Sequence, residues 1–125
     1  MAFLHLARRI APLMVQSGAG TIIATGNTSA LRGKSNFAGF APTKAAQRIL
    51  TEAMARELGP GGVHVAYVLI DAVIDVAWTR VARPDAPDDF FIQPKDIAQE
   101  IWHVAHQPRR AWSFNVELRP FKEPG

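Results

Sequence analysis

The sequence predicts an α/β protein in which helices and parallel strands alternate in the order α-β-α-β-α-β. Three observations predict it. Apolar residues recur at helical spacing in three segments. Two short runs are apolar on both faces, as suits strands covered on both sides of a parallel sheet. Gly and Pro clusters punctuate the segments, and alternation of this kind gives a layered sheet with helical crossovers.

The first helix covers about 2–16, where Phe3, Leu6, Ala7, Ile10, Leu13 and Met14 form one apolar stripe. Pro12 lies inside the stripe and is expected to bend it, and Gly18 and Gly20 end it. Thr21-Ile22-Ile23-Ala24-Thr25 is the first buried strand, stopped by the turn chemistry of Gly26-Asn27-Thr28-Ser29. A small-residue loop runs to about Gly39. Ala45, Ala46, Ile49, Leu50, Ala53, Met54 and Leu58 then mark a second amphipathic helix over 41–58. Gly59-Pro60-Gly61-Gly62 stops it, and Val63 to Ile70 is a second buried strand. Arg83-Pro84-Asp85-Ala86-Pro87-Asp88-Asp89 is turn-rich and hence a loop. Pro94 opens a third helix with Ile97, Ile101, Val104 and Ala105 inward. Trp112, Phe114, Val116 and Leu118 alternate with polar residues, as in a half-exposed edge strand.

The 125 residues suffice for one domain, taken as 1–125, and are too few for two ordinary ones. Apolar residues at 48% and charged residues at 20% exclude wholesale disorder. The absence of cysteine excludes disulfides, a thiol nucleophile and thiolate zinc sites. No stretch approaches the roughly 20 apolar residues of a membrane span, and Arg8 and Arg9 break the N-terminal run. A soluble, cytoplasmic protein is the expectation.

The net charge of +3 is unevenly spread. No Asp or Glu precedes Glu52, and the first 51 residues carry +6 through Arg8, Arg9, Arg32, Lys34, Lys44 and Arg48. Such a start fits a transit peptide, a nucleic-acid face, the phosphate-facing half of a nucleotide site, or chance.

One succession of features is more specific: a buried strand, a Gly/Asn/Thr/Ser turn, a small-residue loop, then Phe40-Ala41-Pro42-Thr43-Lys44-Ala45-Ala46 opening a helix. This resembles the short-chain dehydrogenase/reductase family, which places a Tyr-x-x-x-Lys motif at the start of this helix. Ala55-Arg56-Glu57-Leu58-Gly59-Pro60, Gly62-Val63-His64-Val65 and Pro94-Lys95-Asp96-Ile97-Ala98 look like the family's helix end, next strand and last helix start. The likeness runs from about Ala2 to the final strand. It implies a Rossmann-like parallel sheet, the C-terminal portion of a doubly wound fold.

Three departures qualify it. None of the nine glycines sits in a strand-to-helix turn of the dinucleotide-binding pattern, so the nucleotide-binding half is expected upstream of Met1. The tyrosine position holds Phe40. The family's serine, counted back and anchored by Leu31-Arg32-Gly33, falls on Asn27.

The resemblance implies hydride transfer between NAD or NADP and a carbonyl or alcohol, with a tyrosine hydroxyl handling the proton. A phenol ionises near pH 10 and needs a neighbouring ammonium to work near neutrality. Lys44 supplies that ammonium and, by resemblance, holds the nicotinamide ribose. Phe40 has no proton to give at any pH, though it fills the same apolar volume. Asn27 has an amide donor that could polarise a carbonyl; as a plain turn residue it would instead tolerate a left-handed backbone. Thr25, Thr28 and Ser29 are weak relays without a base. Tyr67, mid-strand, reads as core. By resemblance the nicotinamide end meets Thr25, Lys44, Asp71, Ala72 and Ile74, with Ile70-Asp71-Ala72-Val73-Ile74 in place of a Pro-Gly turn. Asp71 and Asp75 lie at the carboxyl end of a strand, and either is a substitute proton donor or a solvated loop carboxylate.

Glu100, His103 and His106 share a helix face, but nothing supplies a further ligand, so no metal site is assigned. Arg109-Arg110 beside Trp112 keeps nucleic acid as a minor alternative. Residues 76–92, the expected substrate loop, match nothing specific. The reading is therefore an impaired, truncated short-chain oxidoreductase. Its rival is a non-catalytic interaction module, and a third possibility is a start site placed too late. The resemblance implies self-association through helices 2–16 and 41–58.

Overall fold

The central strand, β2 (Val63–Ile70), shows why these residues form this sheet. Seven of its eight residues are buried, and its mostly apolar side chains, half of them β-branched, suit a pleated surface covered on both faces. The computed structural model describes residues 2–123. In it β2 lies between β1 (Gly20–Gly26) and β5 (Asn115–Leu118), and both pairings are parallel. The register runs from Gly20 opposite Val63 to Gly26 opposite Leu69. On the other edge it runs from Tyr67 opposite Asn115 to Ile70 opposite Leu118.

Parallel pairing requires crossovers, and the helices supply them. Helix α1 (Ala2–Ser17) continues through Pro12 without interruption and packs Phe3, Ala7 and Met14 toward the core. Helix α2 (Ala41–Leu58) covers β2, with Thr51 and Met54 buried. Its Pro42 lies in the first turn, where a missing N–H is harmless. A 3-10 turn at Gly59–Gly61 ends it, and Gly62 then adopts a left-handed φ of 91°. Met54, Val63, Val65 and Ala7 form one core cluster. Ala24, Ala30, Tyr67 and Leu69 form a second, toward the carboxyl ends of the strands.

The first strand, read as buried on both faces, is a sheet edge in which only Ala24 of its seven residues is buried. Three further features differ from the sequence reading. Residues 76–92 are not a plain loop. They contain α3 (Ala77–Ala82), and a two-residue ladder pairs β3 (Val73–Ile74) with β4 (Phe91–Ile92) in parallel. The helix opened by Pro94 is therefore the fourth, α4 (Pro94–Ala105), with Ile97 and Val104 buried. The last strand starts at Asn115, not Trp112. Trp112 stacks flat on His64, with centroids 4.7 Å apart and planes 4° apart, and His64 Nε2 lies 2.8 Å from the Ser113 carbonyl. Those contacts hold 112–113 out of the ladder, whereas the Phe114 carbonyl already accepts the Tyr67 N–H of β2 at 2.6 Å. Among the described residues no helix is long and apolar enough to cross a membrane.

Candidate functional site

In open parallel sheets, ligands bind outside the carboxyl ends of the strands. Here that rim is built from the segment after β1, the first turn of α2, and the strap from Asp71 to Gln93 after β2. Phe40 immediately precedes α2. Its N–H donates to the Phe37 carbonyl at 3.1 Å, and its own carbonyl accepts from Lys44 N at 3.2 Å and Thr43 Oγ1 at 2.6 Å. The backbone that sets Phe40 and Lys44 one helical turn apart is thus fixed on both sides. The Lys44 ammonium lies 5.4 Å from the centre of the Phe40 ring, within reach of the negative face of the π system. Lys44 is half-buried, and among the described residues it makes no ion pair. Phe40 stays 43% exposed, which leaves its edge open to a ligand.

Asn27 precedes a 3-10 turn, Thr28–Ala30, that packs against α2. Its side-chain Oδ1 accepts the Ser29 N–H at 3.0 Å. The left-handed backbone allowed at this position is not present: Asn27 is extended at φ −138°. Asn36 at φ 69° is the non-glycine residue with left-handed backbone among the described residues. With its carbonyl oxygen committed to the turn, Asn27 keeps its amide NH2 as a donor. Thr25, the penultimate residue of β1, is exposed.

The strap places the other candidates. Asp71 is buried; its N–H donates to the Leu118 carbonyl at 2.8 Å, extending the β2–β5 ladder, and its carboxylate lies 4.0 Å from Arg119 Nη1. That N–H is therefore not free for a ligand. Ala72 and Ile74 are half-buried, and Ile74 is fixed in the β3–β4 ladder opposite Ile92. Asp75 is neither a proton donor nor a solvated loop carboxylate. Arg80 binds it through Nε at 2.7 Å and Nη2 at 2.8 Å, and Gln93 Nε2 donates to it at 2.7 Å. Those hydrogen bonds, Arg80's first and Gln93's second, hold its carboxyl down to about 2, so it is an ionised acceptor at neutral pH.

Tyr67 is fully buried, as its place in the strand predicts, and burial raises its phenol above the ordinary value, with Arg48 opposing. Its hydroxyl has no hydrogen-bond partner among the described residues. His106 caps the end of α4, and its Nδ1 lies 2.7 Å from the Trp102 carbonyl, so its ring is turned onto its own helix. Arg109 donates to the Gly18 carbonyl at 2.6 Å and so ties two connections together. Sequence reasoning missed the partners of Asp75. A carboxylate, a guanidinium five residues on and an amide eighteen residues on share no periodicity to detect.

The positions singled out offer a half-buried ammonium that makes no ion pair among the described residues, an exposed hydroxyl and a spare amide. Comparison with known proteins identifies the family. Residues 1–85 match the family described as short chain dehydrogenase. The chain belongs to that family. A short-chain dehydrogenase structure from Rhodopseudomonas palustris is 37% identical, with a TM-score of 0.71 over 92% of this chain and 45% of that one. An uncharacterized oxidoreductase of Staphylococcus aureus (strain MRSA252) is 26% identical over 117 residues, covering 94% of this chain and 49% of its own. A closed form of serine dehydrogenase complexed with NADP+ is 20% identical and shares the fold, with a TM-score of 0.80 over 92% of this chain and 50% of its own. The chain thus spans about half the length of the curated relatives it matches. The Rossmann-like α/β sheet and the oxidoreductase kinship implied by the sequence both stand.

Proposed function

We propose that these residues form the nicotinamide- and substrate-facing part of an NAD(P)-dependent short-chain oxidoreductase site whose proton relay is impaired. The observation that carries the reading is Phe40 at the tyrosine position, one turn before a Lys44 ammonium that lies 5.4 Å from its ring and makes no ion pair among the described residues. The ammonium is in place to stabilise a phenolate, and no phenol is there to ionise. Bound NAD or NADP would supply or accept the hydride. Lys44 would hold the ribose, and Thr25, Asp71, Ala72 and Ile74 would border the nicotinamide. The Asn27 amide would donate to the oxygen of a carbonyl or alcohol substrate. Phe40 would shield the site from water without moving a proton. Residues 1–125 act in this reading as one domain.

The test is a calorimetric titration of NADH and NADPH against the purified chain. Saturable binding, weakened by Lys44→Ala, supports the site. No saturation up to millimolar nucleotide removes the cofactor reading for these residues.

A second reading is favoured by a specific observation. Leu6 and Leu13 on α1 and Ile49 on α2 are each more than half exposed, so both helices carry apolar side chains with no partner among the described residues. A non-catalytic module that self-associates through α1 and α2 would cover them. Light scattering decides: a monomer at every accessible concentration contradicts it.

A further inference from the structure

An open cleft of about 330 Å³ lies between the segment 29–38, exposed from Leu31 onward, and the Ala41/Ala45 face of α2. Its wall is apolar, formed chiefly by Leu31, Phe37, Pro42 and Ala45, and Arg32 and Lys34 also line it. Neither cation makes an ion pair among the described residues, whereas Arg48, Arg56, Arg80, Arg119 and Lys122 all do. No acidic residue occurs anywhere before Glu52, so no carboxylate on this part of the chain competes for them. The left-handed Asn36 turns the loop back toward the helix, and the Phe37 N–H donates to the Lys34 carbonyl at 3.1 Å. The apolar wall and the basic rim are therefore carried on one turn.

We infer that this cleft is a binding site for a small amphipathic anion, its hydrocarbon part against Leu31, Phe37 and Ala45 and its carboxylate or phosphate at Arg32 and Lys34. The charge arrangement selects the ligand. An uncharged apolar molecule leaves two cations unused, and a bare anion leaves the apolar wall wet. The site stands apart from the nicotinamide reading, because neither Lys44 nor Asn27 lines it. Phe37 touches both places, with its ring 6.1 Å from that of Phe40, so a ligand here would be felt at the Phe40–Lys44 pair.

The experiment is an amide chemical-shift titration of the full chain with octanoate, octyl phosphate, octanol and inorganic phosphate. Octanoate and octyl phosphate should saturate with shifts confined mainly to 29–45, at least about tenfold tighter than octanol or inorganic phosphate. Affinity should fall as salt rises. The double variant Arg32→Gln/Lys34→Gln, confined to an exposed loop, should weaken both anions several-fold and leave octanol unchanged. Ala45→Leu, which fills the cleft, should abolish binding of all three apolar probes. Octanol binding as tightly as octanoate would overturn the proposal, as would shifts centred outside 29–45 or no saturation by either anion. Binding to phosphatidylglycerol vesicles without binding of octanoate or octyl phosphate would also overturn it, showing that the loop meets a lipid surface.

Discussion

Asp75 and Arg80 meet in a two-point ion pair, Nε to Oδ1 at 2.7 Å and Nη2 to Oδ2 at 2.8 Å. The same guanidinium donates to Asp88 at 2.7 Å and lies 4.2 Å from the centre of the Phe91 ring. Asp75 in turn accepts from Gln93, and its N–H donates to the Ile92 carbonyl at 2.9 Å. One carboxylate thereby joins β3, α3 and β4. A two-residue ladder has too few backbone bonds to persist alone, so this cluster is what orders the strap.

The cluster makes strap order acid-sensitive in a defined window. The folded carboxyl titrates at about 2, below the unfolded value of about 3.9. A depressed acid contributes stability that is complete above the unfolded value and is lost as pH falls through the folded one. Hydrogen exchange, corrected for intrinsic rates, should show amides of 73–75 and 91–92 losing protection between about pH 4 and pH 2, ahead of β2. Asp75→Asn should expose those amides at every pH and leave β2 protected. Loss of strap and β2 protection together, in both proteins, would refute the assignment.

Gly26 and Tyr67 form a second coupled pair. A methyl group at Gly26 would occupy the space of the Tyr67 hydroxyl and come within 2.6 Å of Cζ. Gly26→Ala should therefore cost about 3 kcal/mol or more in denaturant unfolding. Tyr67→Phe deletes a buried hydroxyl that has no partner among the described residues, so it should be neutral or stabilise by up to about 1 kcal/mol. The double variant should lose less than the sum of the two, by more than about 1 kcal/mol, because the worst contact has gone. Strict additivity would show that the two groups do not meet.

How much of this was legible beforehand depends on how local the determining interaction is. The bounds of α2 and β2 were readable because Gly59-Pro60-Gly61-Gly62 separates two segments of different apolar period. The Phe40–Lys44 pair was readable because residues four apart share a helix face. The start of β5 was not, since Trp112 leaves the alternation to stack on His64, a residue 48 positions earlier. Nor was the strap, where β3 and β4 are too short to carry a period and Asp75 finds Gln93 only after the chain has folded back. The extended backbone of Asn27 was likewise hidden, because Asn serves caps and left-handed turns equally well.

Gly62 is required by its surroundings as well as by its own backbone. At φ 91° it occupies the left-handed region, and a Cβ there would collide with the Gly18 carbonyl oxygen and lie 3.1 Å from Arg109 Nη2. That carbonyl is the acceptor for Arg109, so a side chain at 62 would also disturb the link between the two connections. Gly62→Ala should destabilise by about 2 kcal/mol or more. Arg109→Gln, which only weakens an exposed hydrogen bond, should cost about 1 kcal/mol or less. Equal losses for the two variants would mean that the backbone conformation is not the governing factor.

Phe40→Tyr tests the electrostatics of the candidate relay without needing any ligand. The introduced phenol would stand one turn from Lys44, whose ammonium already lies 5.4 Å from the ring centre. A cation at that distance favours phenolate and lowers the phenol below its ordinary value, an effect that partial solvent exposure keeps small. Tyr67 provides an internal contrast, because burial shifts it the other way. An ultraviolet titration of phenolate absorbance in the variant should therefore show two separated steps, one below and one above the ordinary phenol. Adding Lys44→Ala should move only the lower step upward. If the lower step is absent, or indifferent to Lys44, the ammonium does not act on the tyrosine position, and restoring the phenol could not restore acid–base chemistry there.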